Sequence, residues 1–162
     1  LTFKKIQGAY EIFGPCVIPG FYGSLSTGEI KVLARGGSDI TGALCAAALN
    51  ASAYENWTDV SGVLMADPRI IPYAKSIEQM TYAELRELAF MGASVLHEES
   101  IQPVKQKNIP LNIRNTNEPE HAGTIILDTI KQENQTHQFI TGVSGLKDFT
   151  VLSIHKAQIS NF

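Results

Sequence analysis

The chain has 162 residues, of which 44% are hydrophobic and 18% are charged; this size and composition are typical of one globular domain with a sizeable core. Its net charge is −3 and it has no basic block, which argues against a nucleic-acid-binding protein that neutralises phosphates over one face. No apolar run approaches the roughly 20 residues that span a bilayer, which excludes a membrane-spanning protein.

The cysteine content indicates the cellular compartment of the protein, and the first residues indicate whether the chain is a piece of a longer one. Cys16 and Cys45 are too few for a disulfide framework, and both lie in apolar stretches, as reduced cytosolic thiols do. The chain opens at Leu1 without an initiator Met or a signal peptide. We therefore expect a cytoplasmic protein, and a piece of a longer one.

Short β-rich runs alternate with helical ones, which favours an α/β layered fold. Residues 16–19 predict a buried strand, and residues 21–28 a turn-rich segment with two glycines. Residues 29–34 and 53–57 predict further strands.

A helix is predicted over residues 40–49, where small and apolar side chains share one face. Ser38 or Asp39 is the expected N-cap, since a short side-chain oxygen accepts from the free N–H groups of the first turn. Asn50 is the expected C-terminal stop.

A second helix is predicted over residues 81–91, because Thr81 and Glu84 have the spacing of a capping box and Met80 can pack on Leu85. A third helix is predicted near residues 97–107, although it contains Pro103.

The remainder of the chain predicts strands and a connection. Residues 110–114 and 124–127 predict strands, and residues 128–138 predict a polar linker. Residues 139–155 are β-like again.

The segment Arg35-Gly36-Gly37-Ser38-Asp39 is the first candidate binding site. Glycines allow a backbone to approach an anion, and a helix N-terminus carries free N–H groups and partial positive charge. Arg35 adds a planar guanidinium group that can bind a carboxylate or a phosphate through two parallel hydrogen bonds. Asp39 could face an ammonium group. From spacing alone we favour the simpler interpretation, in which the glycines make a turn, Asp39 caps the helix and Arg35 is solvated.

A second candidate comprises Trp57-Thr58-Asp59-Val60 and Ala66-Asp67-Pro68-Arg69. In open α/β sheets, ligands bind beyond the carboxyl ends of strands, where Thr58 and Asp59 are expected. Arg69 could reach a polyphosphate. Taken alone, an Asp-Pro turn with Asp67 as a local cap is the favoured interpretation.

Other sites are disfavoured by the sequence. The segment His97-Glu98-Glu99 lacks a second His at position 101, which is Ile, so a zinc-protease helix is not predicted. No Cys–His arrangement for thiol catalysis and no P-loop occur. Residues 112–117 are rich in Asn and could bind a ligand, but they are first expected to form a turn.

In combination, these segments resemble the aspartokinases, within the amino-acid kinase superfamily. The order and spacing of the matching motifs carry the resemblance nearly end to end: Pro19-Gly20-Phe21-Tyr22-Gly23, Arg35-Gly36-Gly37-Ser38-Asp39-Ile40-Thr41-Gly42, Trp57-Thr58-Asp59-Val60, Ala66-Asp67-Pro68-Arg69, Glu87-Leu88-Ala89, Gly92-Ala93-Ser94-Val95-Leu96-His97, Ile109-Pro110, Asn115-Thr116 and Gly123-Thr124.

The resemblance implies ATP-dependent phosphorylation of the L-aspartate side-chain carboxylate, with Mg²⁺ bound to ATP, at the entry to lysine, threonine and methionine biosynthesis. It implies that aspartate is bound by Phe21, Arg35, Ser38 and Asp39. It implies that the nucleotide is bound by Thr58, Asp59, Leu64, Met65, Ala66, Asp67, Pro68, Arg69, Ser94 and Val95. No catalytic residue and no metal ligand of the protein is assigned.

The resemblance also implies an architecture: a three-layer α/β/α sandwich with a mainly parallel sheet, present in part. Residues 1–127 correspond to the nucleotide-binding half of the kinase domain, 128–138 to a linker, and 139–162 to the first strand region of an ACT-type α+β regulatory domain. The family's Lys-Phe-Gly-Gly-Thr segment appears nowhere in the chain, so these 162 residues are expected to lack kinase activity alone, to require the N-terminal half of the domain as a partner, and to form a homo-oligomer in the full-length protein.

Two alternatives stay open at this point. Another amino-acid kinase would act on glutamate or a nucleoside monophosphate. A non-catalytic regulatory subunit would instead carry complete ACT domains.

Overall fold

The computed structural model describes residues 2–90, 96, 98–130, 140–145 and 150. They form four helices and six strands. The helices are α1 (Thr2–Phe13), α2 (Gly37–Ala48), α3 (Tyr82–Phe90) and α4 (Glu98–Gln106). The strands are β1 (Tyr22–Ser24), β2 (Ile30–Val32), β3 (Tyr54–Thr58), β4 (Gln79–Thr81), β5 (Leu111–Asn115) and β6 (Thr124–Leu127).

Four of the strands form one mixed sheet in the order β3-β5-β6-β4. Strand β3 is parallel to β5 and β4 is parallel to β6, whereas β5 and β6 are antiparallel. Strands β1 and β2 form a separate antiparallel pair. The predicted α/β class and the mainly parallel sheet are therefore confirmed.

The core lies between one face of this sheet and the helices. Side chains alternate between the faces of a strand, and the register places Leu111, Ile126 and Met80 of adjacent strands on the same face, where all three are 0% exposed. Side chains of α2, α3 and α4 belong to the same apolar cluster. Glu55 and Trp57, on the other face of the edge strand β3, are exposed.

Helix α2 begins at Gly37 rather than at residue 40, so the predicted N-caps are wrong. The N-cap is Gly36, which has a φ of 82° and makes no side-chain capping bond. Ser38 and Asp39 lie inside the first turn, since the Ile40 N–H already donates to the Gly36 carbonyl at 3.0 Å. Glycine occupies this left-handed position without the penalty that a Cβ would bring.

The C-terminal end of α2 follows the prediction. Asn50 has a φ of 47°, and the Ala51 N–H donates back to the Ala46 carbonyl at 2.9 Å. A left-handed residue followed by this backward hydrogen bond is the usual way in which a helix satisfies its last carbonyls.

The capping box of α3 is confirmed. The Glu84 N–H donates to Thr81 Oγ1 at 3.2 Å, and the Thr81 N–H donates to Glu84 Oε2 at 2.7 Å. The neighbouring Met80 and Leu85 are both buried. Helix α4 is likewise present and includes Pro103.

Other predicted elements differ from the structure. Residues 16–19 form no strand, and Val17 is 97% exposed; the apolar run has no sheet partner. The turn-rich segment contains β1, which pairs with β2. Helix α1 and strand β4 were not predicted. The strands predicted at 53–57, 110–114 and 124–127 are confirmed to within one residue.

The regulatory segment predicted at 139–162 lies mostly outside the described residues, and its described residues, 140–145 and 150, form no strand. Within the described residues, none of the helices has the length and apolar character needed to cross a membrane.

Candidate functional site

The first turn of α2 lies against strand β3. Asn56 Nδ2 donates to Asp39 Oδ1 at 3.0 Å, and the Tyr54 hydroxyl donates to the Asp39 main-chain carbonyl at 3.3 Å. Asn56 and Thr58 point to the same face, because they are two residues apart on one strand. The Asp39 end of α2 therefore lies beside β3, and Asn56 is two residues before the end of that strand at Thr58.

The turn before α2 is tightly packed. A Cβ on Gly37 would lie 2.5 Å from the Leu33 Cβ and 3.1 Å from the Phe21 ring. The Gly36 φ of 82° also requires a residue tolerant of the left-handed region. Both glycines are thus needed locally. The Gly37 N–H donates to the Ala34 carbonyl at 3.0 Å, and in the described part of the chain the N–H groups of Ser38 and Asp39 are the free ones at the N-terminal end of the helix, which we call the helix mouth.

Phe21 lies beside this mouth in a strained conformation. It has a φ of 75°, which is uncommon for an aromatic residue. The conformation is held from two sides: the Phe21 N–H donates to Thr41 Oγ1 at 3.3 Å, and its carbonyl accepts from the Leu33 N–H at 2.9 Å. Strain that is held in this way is often found where a protein binds a ligand.

The four predicted aspartate-binding residues all lie around the helix mouth at the start of α2. Phe21 packs beside Gly37, Ser38 and Asp39 lie in the first turn, and Arg35 is on the preceding loop. Ser38 and Arg35 are exposed, and Asp39 is half-buried. Arg35 makes no hydrogen bond or ion pair with the part of the chain that the structure describes, so its guanidinium is available to an anion.

The predicted nucleotide segment is a loop held at its base. The Ile77 N–H donates to the Val63 carbonyl at 2.8 Å, and the Met65 N–H donates to the Lys75 carbonyl at 2.9 Å. Thr124 of β6 fixes this base to the sheet: its hydroxyl donates to the Ile77 carbonyl at 2.6 Å and accepts from the Val63 N–H at 2.8 Å. Residues 66–74 project from that base.

Asp67 and Arg69 are paired near the start of the loop. The Arg69 guanidinium donates to both Asp67 carboxylate oxygens, with a shortest distance of 2.6 Å, and the Arg69 N–H donates to Asp67 Oδ1 at 2.8 Å. The hydrogen bond from the Arg69 side chain, with a smaller contribution from its N–H, lowers the pKa of the Asp67 carboxyl. The Asp-Pro turn capped by Asp67 is confirmed. Since Arg69 is already paired, a phosphate would have to share it with Asp67.

The loops that follow the parallel strands β3 and β5 are joined. Both the N–H and the hydroxyl of Thr116 donate to the Thr58 carbonyl, at 2.8 and 3.0 Å. Asn115 Nδ2 donates to Ser61 Oγ at 2.8 Å, and Asn115 Oδ1 accepts from the Asn117 N–H at 2.9 Å. Asn115 thus forms the expected turn and, in addition, holds the loop after β3.

Sequence reasoning missed Tyr54 and Asn56, and two predicted residues cannot be located. The alternation of side chains along residues 54–58 places Tyr54 and Asn56 on the same face as Thr58, which is the signal that could have found them. Ser94 and Val95 lie outside the described residues.

Comparisons with known proteins show the family to which the chain belongs. The pattern of the amino acid kinase family matches residues 16–115. Aspartokinase 3 of Bacillus subtilis (strain 168) is 36% identical over 155 residues, which are 96% of this chain and 34% of that protein. The crystal structure of Clostridium acetobutylicum aspartate kinase has a TM-score of 0.78 and 53% identity, covering 89% of this chain and 34% of that one.

A further solved structure, Escherichia coli aspartokinase III in complex with aspartate and ADP, has a TM-score of 0.63 and 40% identity, covering 70% of this chain and 25% of that one. The chain thus spans about a third or less of the length of these proteins. Because the family pattern matches more than half of its residues, and because the relatives named above are aspartokinases, the chain belongs to the amino acid kinase family and within it is similar to the aspartokinases.

Proposed function

We propose that this chain is the nucleotide-binding half of an aspartate kinase, which transfers a phosphoryl group from ATP to the side-chain carboxylate of L-aspartate. The observation that carries the proposal is the hydrogen bond between Asn56 and Asp39, 3.0 Å long. It brings the helix mouth beside the strand whose last residue, Thr58, begins the nucleotide segment. An acceptor and a donor bound at these two places would be neighbours, as phosphoryl transfer requires.

At the helix mouth, the side chains present suit an acidic amino acid. The Arg35 guanidinium matches a carboxylate in its planar geometry, and the free N–H groups of the first turn favour negative charge. The Asp39 carboxylate offers a negative partner to the substrate ammonium group. Phe21, beside the mouth, would pack against the substrate.

For the nucleotide, the segment from Thr58 to Arg69 supplies main-chain groups and the exposed side chains of Asp59 and Arg69. Ser94 and Val95, which the sequence resemblance implies, are further candidates. The described residues contain no group of three or more His, Cys, Asp or Glu side chains that could hold a metal ion. We propose that Mg²⁺ enters with the phosphates of ATP, where it would neutralise charge on the transferring group. The chain's own part is to position both substrates.

The proposal extends to the rest of the protein. Residues 128–138 would link the kinase half to an ACT-type regulatory segment beginning at residue 139. The N-terminal half of the domain would bind this one, and the full-length protein would form a homo-oligomer in the cytoplasm. The crystal structure of E. coli aspartokinase III was solved in complex with lysine and aspartate, which supports an acidic amino acid as a ligand of the present chain as well.

The test uses the whole protein in which this chain occurs. We expect ADP release that depends on L-aspartate, and an acyl phosphate product that hydroxylamine traps as the hydroxamate. L-Glutamate and nucleoside monophosphates, offered in parallel, should not support ADP release. If one of them is phosphorylated and aspartate is not, the proposed function is wrong.

A pair of arginine variants makes the test specific to the site. Arg35→Ala should raise the KM for aspartate by about tenfold or more, the effect of losing one charge-assisted hydrogen bond, with little change in the KM for ATP. Arg86→Ala removes an exposed arginine of α3 and should change neither constant. Equal effects of the two substitutions would count against the assigned role of Arg35.

A further inference from the structure

Asn56 is an amide buried in the face of β3 that α2 covers. It is 8% exposed, and a buried amide is costly unless its N–H groups are bonded. Asn56 Nδ2 makes two hydrogen bonds, to Asp39 Oδ1 at 3.0 Å and to the Tyr54 hydroxyl at 3.2 Å. Both N–H groups of the amide are thereby used, and both contacts lead to the same turn of α2.

Tyr54 completes the connection to that turn. Its hydroxyl donates to the Asp39 main-chain carbonyl at 3.3 Å. The ring lies where a Cβ on Gly42 would come within 2.6 Å of the hydroxyl oxygen, so glycine at this position leaves room for the tyrosine. The sheet therefore holds Asp39 twice, by its carboxylate and by its main chain.

The chemical nature of the donor matters for a binding carboxylate. Asn56 is neutral, so it fixes Asp39 Oδ1 without cancelling the negative charge, whereas a lysine or arginine would neutralise it. Asp39 Oδ2 makes no hydrogen bond with the described residues, and Asp39 is half-buried rather than enclosed. One oxygen is anchored and the other remains available at the helix mouth.

We infer that Asn56 is a positioning residue for substrate binding: it holds the Asp39 carboxylate so that Oδ2 faces the ammonium group of the amino-acid substrate. The inference rests on the proposed function, because it assigns that ammonium group to Asp39. Asn56 itself does not touch the substrate. It acts through Asp39, and its effect therefore disappears when Asp39 can no longer bind the ammonium group.

That dependence gives a test by double-mutant cycle in the whole protein, with L-aspartate binding measured by calorimetry and turnover measured by ADP release. Asn56→Leu should raise the Kd and KM for aspartate by about tenfold, with kcat and the KM for ATP changed less than about twofold. In the Asp39→Asn background, the same Asn56→Leu substitution should raise the Kd no further. A solely structural role for Asn56 would weaken aspartate binding equally in both backgrounds, which would overturn the inference.

Two further variants keep the test decisive if Asn56→Leu fails to fold. Asn56→Ser shortens the side chain, breaks the direct contact with Asp39 and should follow the same cycle. Glu55→Gln, at the next position of β3 but on the opposite exposed face, should leave the Kd for aspartate unchanged. If the unaltered protein binds no aspartate, the proposed function and this inference both fail; if it binds and phosphorylates aspartate but the cycle shows no coupling, only the inference fails.

Discussion

Replacing Thr124 with Val tests how the loop that carries the predicted nucleotide-binding residues is attached to the sheet. The Thr124 side chain is 0% exposed, and its hydroxyl bonds both the Ile77 carbonyl and the Val63 N–H. Valine has nearly the same shape but no hydroxyl. The substitution therefore leaves a buried donor and a buried acceptor without their partner and creates almost no cavity.

The expected loss follows from those two groups. A buried polar group left unpaired costs about 1–3 kcal/mol, and two such groups are left, so the free energy of unfolding should fall by about 2–6 kcal/mol. In a chain of this size, each kcal/mol corresponds to about 2–4 °C in the melting temperature. Because Val63 directly precedes the loop at Leu64, the KM for ATP of the whole protein should rise as well.

Urea unfolding followed by far-UV circular dichroism measures the loss, with two matched variants. Thr124→Ser keeps the hydroxyl and removes one methyl group, which should cost about 1 kcal/mol. Thr129→Val makes the same chemical change at an exposed position and should stay within about 0.5 kcal/mol of the unaltered chain. If Thr124→Val is no more destabilising than Thr124→Ser, the hydrogen bonds do not hold the loop and the reasoning is refuted.

Three further predictions concern stability and can be checked in the same unfolding assay. Gly123→Ala should prevent native folding, because the residue has a φ of 74° and an added Cβ would lie 1.9 Å from a carbonyl oxygen of β5. The control Gly28→Ala has a φ of 90° but open space around the added Cβ, so it should lower the free energy of unfolding by only about 1 kcal/mol. Similar losses of stability in the two variants would contradict the steric argument. Thr81→Ala removes the capping box of α3 and should cost about 1 kcal/mol, and an unchanged midpoint would contradict it. Burial raises the pKa of Glu84, but hydrogen bonds from Thr141 and Thr81 outweigh it and lower that pKa below the ordinary 4.5. The contribution of Glu84 to stability is therefore fully present above pH 4.5 and is lost as the pH falls through the lower pKa that Glu84 has in the folded protein. Glu84→Gln should make the free energy of unfolding less dependent on pH in this acidic range, and an unchanged dependence would refute the prediction.

Local signals account for the elements that were predicted well. The Thr81–Glu84 spacing defines a helix start through side-chain bonds only three residues apart, and Asn50 defines a helix end through its own φ of 47°. Both depend on neighbours in the chain and so can be read from the sequence. The start of α2 was placed wrongly because Ser38 and Asp39 have the composition of a cap, whereas Gly36 takes that position through backbone conformation.

Apolar composition alone misled where burial depends on distant partners. Residues 16–19 have the pattern of a buried strand, yet Val17 is 97% exposed, because no strand of the described sheet pairs with that run. Strand β4 was missed for the converse reason: it has only three residues, and its identity comes from pairing with β6, more than forty positions later.

By itself, the sequence determined the class of fold, the order of the motifs and the residue types that an acidic amino acid and a nucleotide would need, because these depend on spacing and side-chain chemistry. Only the tertiary structure decided that Asp39 is held by Asn56 and that Thr124 supports the loop between Val63 and Ile77. Those hydrogen bonds join residues 17 and 61 positions apart, and they exist because the helix packs on the strand and one strand lies beside another. Such contacts follow from the packing of the whole sheet, which no local pattern encodes.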